Sequence, residues 1–330
     1  MVSSCKEDFD ATADYQEIPV VYGLLNFADA AHYIRVQKGF LLDGNALVAA
    51  QQPDSIYFRD SIRVSLRYLP NGPENVCSLI DGNTIGLPKQ EGSFANSPNL
   101  LYRSNILLDP NKTYQLKVKN MSSGKEYIAS TLLIEDFQPI NVQRGQRFNL
   151  VPLNATPRVI WVTATNAAAY DLNCRFHYRE TNFLNGETRD TFCDIPLVKR
   201  KGTTGINGGT EMDATIDLTN FYNSMLSQIP VNPDVNREFN IRKGLHFQFS
   251  LGGQELNAFI NSQLAQSGFT SNEAVPPYTN FSGGAQGIFS SRYFKTIDSV
   301  LLSGESLDDI SCNPLTRPLR FKNSAGQVCF

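Results

Sequence analysis

Three histidines, six cysteines and one basic run that opens a glycine-rich stretch are where this 330-residue chain could do chemistry. His32, His177 and His246 lie far apart with no HExxH, and no two cysteines form a CxxC, so neither follows a zinc-ligand spacing. No metal and no other cofactor is expected on these residues. Lys199-Arg200-Lys201-Gly202 leads into Gly205-Ile206-Asn207-Gly208-Gly209, a combination able to cradle a phosphate. The Lys-Ser/Thr ending of a P-loop is missing, and a flexible hairpin loop is the preferred reading. Gly-x-Ser-x-Gly does not occur and the histidines sit in strand-like contexts, which argues against a nucleophile–histidine–acid triad. Glu135-Asp136 and Asp308-Asp309 read as solvated positions at element ends, although any two carboxylates can converge in space for glycoside hydrolysis. His177 shares a strand face with Arg175 and Arg179, a trio that would bind an anion on an exposed sheet; a solvated outer face is the preferred alternative. No catalytic residue is nominated.

The cysteines carry more. Cys5 ends the small-residue run Val2-Ser3-Ser4 and is followed at once by Lys6-Glu7-Asp8, the pattern of a junction at which the cysteine becomes an acylated N-terminus. A secretory leader needs an apolar core before such a site, so that core is expected upstream of Met1. Cys174 with Cys193, and Cys312 with Cys329, are close enough in sequence for two local disulfides in an oxidising compartment, with buried free thiols as the alternative. Cys77 is left over. A tight turn at Asn185-Gly186 would set Cys193 opposite Tyr178, so the first bridge requires a broader loop centred near Phe183-Leu184.

The elements that must position these residues are mostly strands. Ser61 to Leu69 alternates, with Ile62, Val64, Leu66 and Tyr68 on one face and Ser61, Arg63, Ser65 and Arg67 on the other. The same period marks 32–38, 113–119 and 245–251, where Leu245, Phe247, Phe249 and Leu251 alternate with His246, Gln248 and Ser250. Helical spacing appears twice: Phe221, Tyr222, Met225, Leu226 and Ile229, with Thr219 as N-cap and Pro230 as stop, and Leu256, Phe259, Ile260 and Leu264. A further short helix is expected over 303–312. The expected fold is therefore mainly β: a tether over 1–14, an immunoglobulin-like β-sandwich over 15–138, and a second β-rich domain over 139–330 with two or three short helices, near 219–229 and 254–264.

Lys plus Arg number 29 against 32 Asp plus Glu, a net charge of -3, so no basic surplus points to nucleic acid. No apolar run approaches the roughly 20 residues a membrane-spanning helix needs.

Val20-Val21-Tyr22-Gly23-Leu24-Leu25, His32-Tyr33-Ile34-Arg35-Val36-Gln37-Lys38, Tyr278-Thr279-Asn280 and Gly287-Ile288-Phe289-Ser290-Ser291-Arg292, in that order behind Cys5, resemble a family of Bacteroidota surface lipoproteins with no assigned activity. Lys6-Glu7-Asp8 is similar to the charged tag that directs such lipoproteins to the outer face of the outer membrane. Asp54-Ser55-Ile56, Asp60-Ser61-Ile62 and Asp298-Ser299-Val300 resemble the O-glycosylation sequon of exported Bacteroidota proteins, which nominates Ser55, Ser61 and Ser299. The resemblance implies an immunoglobulin-like N-terminal sandwich, a lipid anchor on Cys5 and a location on the cell surface. Together these readings lead to the expectation of a surface-anchored, non-enzymatic binding module for a protein partner or glycan, in adhesion or as an accessory to an outer-membrane transport or secretion complex. The alternative is an enzyme processing surface glycans or peptides at an interdomain site.

Overall fold

The computed structural model describes residues 18–39, 46–267 and 278–329. Cys5 and the tether expected over 1–14 lie outside them. The fold is mainly β. In the first part, β1 (Ile18–Leu25) and β2 (His32–Gly39) precede two short helices, α1 (Ala46–Ala50) and α2 (Pro53–Ile56). Then come β3 (Ile62–Tyr68), β4 (Asn75–Val76), β5 (Ser78–Asp81), β6 (Leu100–Ser104), β7 (Thr113–Asn120) and β8 (Glu126–Leu132). A sheet ordered β4-β3-β7-β8 faces the β1-β2-β6-β5 end of a larger sheet. Between them lie Val21, Ile34 and Val36 from one side and Val64, Leu66, Leu116 and Val118 from the other, all buried. This is a sandwich, and period-two alternation creates it by giving each strand one apolar face.

Two positions on β3 depart from simple alternation. Ser65, expected outside, is buried because β4 covers it, and its hydroxyl donates to Glu74 Oε1 at 2.6 Å. Tyr68, expected inside, is 38% exposed at the strand's end.

The second part contains β9 (Arg147–Phe148), β10 (Arg158–Val162), β11 (Ala169–Asn182), β12 (Thr188–Gly202) and β13 (Glu211–Thr215). It continues with α3 (Leu218–Gln228), β14 (Val235–Phe239), β15 (Leu245–Gly252), α4 (Gln254–Ser267), β16 (Gln286–Leu302) and α5 (Gly304–Cys312). Its core lies on the inner face of β11 and β15. Trp161 is fully buried there, 5.5 Å edge-on to Phe249 and 5.5 Å from Tyr170, and Phe221, Tyr222 and Met225 of α3 close the layer. Asp217, not Thr219, caps α3, its Oδ1 accepting from Asn220 N at 3.1 Å. Aspartate caps as well as threonine does, and its earlier position adds two residues, about half a turn, before Pro230.

The boundary expected near 138/139 is crossed. β16 runs for 17 residues; its first part pairs in parallel with β1 (Val21 with Gly287, Leu25 with Ser291) and its later part antiparallel with β15 (Gly252 with Arg292, Phe247 with Ile297). One sheet, ordered β12-β11-β15-β16-β1-β2-β6-β5, therefore spans both parts, and Phe281, Ala285 and Phe289 fill the N-terminal core. Close strand approach fixes Gly287: its φ is 95°, and a Cβ there would stand 2.0 Å from the Val21 carbonyl oxygen.

Cys312 and Cys329 are joined by a disulfide, with Cα atoms 5.1 Å apart. Cys174 and Cys193 are not, which corrects the first expected bridge. The hairpin turn is closed by Gly186 N–H to Asn182 O and Asn182 N–H to Glu187 O. That register sets Cys174 opposite Ile195 and Cys193 opposite Phe176. The thiols are diagonal neighbours on the inward face, two residues out of step. Both are free and buried, and burial raises both above the usual thiol range, Cys193 to about 12. Cys77 is also free and buried.

Candidate functional site

Because β11 and β15 give their apolar side chains to the core, their alternate residues form one outer face. Opposite charges pair across it: Arg179 with Asp190 (2.8 Å) and Arg175 with both carboxylate oxygens of Asp194 (2.7 and 2.9 Å). The Arg175 guanidinium holds the Asp194 carboxyl below its ordinary value and also lies 3.9 Å from the Phe192 ring centre. Next along the face, Asn173 donates to Gln248 at 3.1 Å. The arginines weighed as an anion site are thus already neutralised.

His177 is neither solvated nor a free cation; it is 8% exposed, and its Nε2 lies 3.4 Å from His246 Nδ1. His246 Nε2 contacts the Lys243 carbonyl at 3.1 Å, and a carbonyl only accepts, so neutral His246 carries its proton on Nε2. Its Nδ1 then accepts from His177 Nε2–H, leaving His177 Nδ1 bare, buried and without a partner. Burial first, then electrostatic repulsion from His246, Lys243 and Arg175, lower the His177 pKa to about 4. Between that value and the ordinary histidine range, the unfolded chain binds a proton that the folded one refuses, so stability falls as pH drops from 7 towards 4. The loss by pH 5 is on the order of 1–2 kcal/mol after allowance for screening. Urea unfolding of His177→Gln should show a correspondingly shallower decline between pH 7 and 5; identical slopes for the two proteins would refute this assignment.

The self-pairing pattern stops where α4 meets the sheet. There a cleft of about 240 Å³ is walled by Leu24, Leu256, Ile260 and Phe294 and floored by Ser250 and Gly252, with Asp171 and Asn257 also lining it. The start of α4 is pinned down: Leu256 N–H donates to Ser290 Oγ at 3.1 Å, and Glu255 Oε2 accepts from Ser290 and from Thr131 of β8. Phe259 packs edge-on against Tyr22 at 6.0 Å. Yet no described side chain of α4 is fully buried, so the apolar stripe read from the sequence is only half covered. Two guanidiniums line the cleft. Arg292 lies 5.2 Å from the Phe294 ring centre, and its buried Nε has no hydrogen-bond partner. Arg200 follows a β-bulge between β11 and β12, with φ at 51° and its backbone N–H bound by Asp171 Oδ1 at 2.5 Å. Neither arginine forms an ion pair among the described residues.

The other nominated residues fall elsewhere. Ser61 donates its hydroxyl to Phe58 O, Ser55 is half-buried in α2, and Ser299 sits at φ 54° in β16 beside Gly244. The glycine loop packs on a neighbouring turn, Asn166 N–H donating to Ile206 O and Gly209 N–H to Thr163 O, while Lys201 turns to Asp213. Among the described residues, no group of three or more His, Cys, Asp or Glu is placed to hold a metal, and no helix is long and apolar enough to cross a membrane. Arg200 was visible in sequence as part of the basic run. Arg292 left no signal, since a charged residue in a period-two strand reads as a solvated position.

No protein-family model matches the chain, and no curated protein matches it. The fold and the cleft define a mainly β protein whose long sheet carries a half-covered apolar seat lined by two arginines that form no ion pair among the described residues.

Proposed function

We propose that this chain is a binding module, held at the outer-membrane surface by a lipid on Cys5, with the cleft under α4 as the seat for a group presented by its protein or glycan partner. The observation that carries the reading is the cleft itself: a preformed concavity with apolar walls and two guanidiniums that form no ion pair among the described residues. The anchor rests separately on Val2-Ser3-Ser4-Cys5 and the charges that follow. Adhesion, or service to a transport or secretion complex, is the setting that such a surface position suits.

Two measurements test it. Expressed behind a full leader in a host of the right type, the protein partitions into detergent, and Cys5→Ala releases it; equal membrane retention of the variant eliminates the anchor. Capture of envelope material by the wild-type protein is lost in Ser250→Trp, which fills the cleft from its floor, while the unfolding temperature is kept. A glycosidase and peptidase screen runs alongside. Turnover that disappears in Asp171→Asn with stability unchanged would replace the binding module with an enzyme.

A further inference from the structure

We propose that the cleft between α4 and the β11–β15–β16 face binds a small amphipathic anion, its carboxylate or phosphate held by Arg292 and Arg200 and its aliphatic part lying along Leu256, Ile260 and Leu24. This rests on the cleft being the ligand seat and adds the chemistry of what fills it.

Four independent features converge. Elsewhere on the outer face an arginine lies opposite a carboxylate, as Arg175 and Arg179 do, whereas the carboxylate that lines the cleft, Asp171, accepts from the Arg200 backbone N–H and, among the described residues, forms no ion pair with the guanidinium of Arg200 or Arg292. Arg292 Nε has no acceptor within the protein, so the guanidinium is not engaged by an internal partner there and its charge is left for charge-assisted hydrogen bonds to an anion. Arg292 is held by Phe294, so little freedom is lost when it binds. Arg200 occupies a backbone conformation disfavoured for any residue with a Cβ, imposed by a bulge of the kind that re-aims a side chain beside a binding site. Asp171 contributes to that placement by binding the Arg200 backbone N–H.

The walls specify the rest of the ligand. Leu24, Leu256, Ile260 and Phe294 offer no hydrogen bond, while the polar lining groups Asp171, Ser250 and Asn257 lie beside them, so the part of the ligand along the apolar wall is apolar, and burying it completes the packing of α4. At roughly 30 Å³ for each water-sized unit, 240 Å³ holds about eight non-hydrogen atoms. That is a carboxylate with about six carbons, so an octyl chain fills the cleft from its headgroup end and leaves its tip outside.

Calorimetric titration of the full chain with n-octanoate, n-octyl phosphate, n-octanol and acetate tests the proposal. Octanoate or octyl phosphate binds, the tighter of the two identifying the headgroup. Octanol, which lacks the charge, and acetate, which lacks the tail, each bind about tenfold or more weakly. Arg292→Met, which keeps the stem over Phe294 and removes the charge, weakens the octyl anion by about tenfold or more at an unchanged unfolding temperature, and Arg200→Gln shifts it in the same direction. Octanol binding as tightly as octanoate, or full affinity in both arginine variants, overturns anion recognition while leaving the cleft as a binding seat. Failure of every probe overturns this inference alone if Ser250→Trp still abolishes envelope capture. Octyl-anion binding that persists in Ser250→Trp lies outside the cleft and overturns both readings.

Discussion

Arg237→Met lowers the unfolding free energy by about 3–5 kcal/mol, measured as a drop in urea midpoint at constant slope. The side chain is 1% exposed, and each guanidinium nitrogen is used: Nε to Glu180 Oε1 at 3.0 Å, Nη1 to Leu319 O at 2.7 Å and Nη2 to Pro230 O at 2.9 Å. Methionine restores the volume and none of the donors, so a carboxylate and two carbonyls lose their partner in a place water reaches poorly. Arg237→Lys fares little better, because one ammonium on a flexible stem cannot reproduce a planar fork aimed at three acceptors. Glu180→Gln costs less than either arginine change, since the guanidinium keeps both carbonyls and the glutamine retains an acceptor oxygen. A loss below about 1 kcal/mol for Arg237→Met would mean that the fork is not what joins β14 to the C-terminal segment.

What the sequence made legible follows the range of the interactions. β7, β15 and α3 were readable because each presents its own period against a core, and Tyr114, Leu116, Val118, Leu245, Phe247, Phe249 and Leu251 are buried as their alternation requires. The joining of the two parts was not readable. β1 and β16 meet in parallel across more than half the chain, and parallel pairing leaves no turn signature. The Cys174–Cys193 spacing misled because a two-residue offset keeps both thiols on the same inward face while denying them contact. For the cleft, the apolar stripe of α4 was visible but its partial cover was not, since burial is a property of what lies opposite. Arg200 stood out in a basic run whose glycines proved to serve packing. Only the structure separates Arg292 from Arg175: both are charged residues on strands, and the difference is that Arg175 pairs with Asp194 while Arg292 lies opposite Gly252 and forms no ion pair among the described residues.

Opening the Cys312–Cys329 disulfide, by reduction or by the paired change to serine, costs about 3 kcal/mol in the chain-entropy model, because it frees a loop with a sequence separation of 17. The loop is more than a tether. It carries Leu319 and Phe321 into the core, Phe321 packing edge-on to Phe176 at 5.6 Å, and it supplies the Leu319 carbonyl to Arg237. The bridge and the buried arginine therefore hold the same segment from two sides. Combining Arg237→Met with loss of the disulfide should cost less than the sum of the two, since a segment already undocked gains little from either clasp. The same variants separate stability from binding: β11 runs nine residues from Ala169 at the cleft to Tyr178 beside Phe321, roughly 30 Å at strand rise. Reduced protein below its unfolding temperature should thus bind octyl anions with unchanged affinity. Strict additivity in the cycle, or affinity lost on reduction without unfolding, would show that the segment and the cleft are coupled in a way the sheet does not provide.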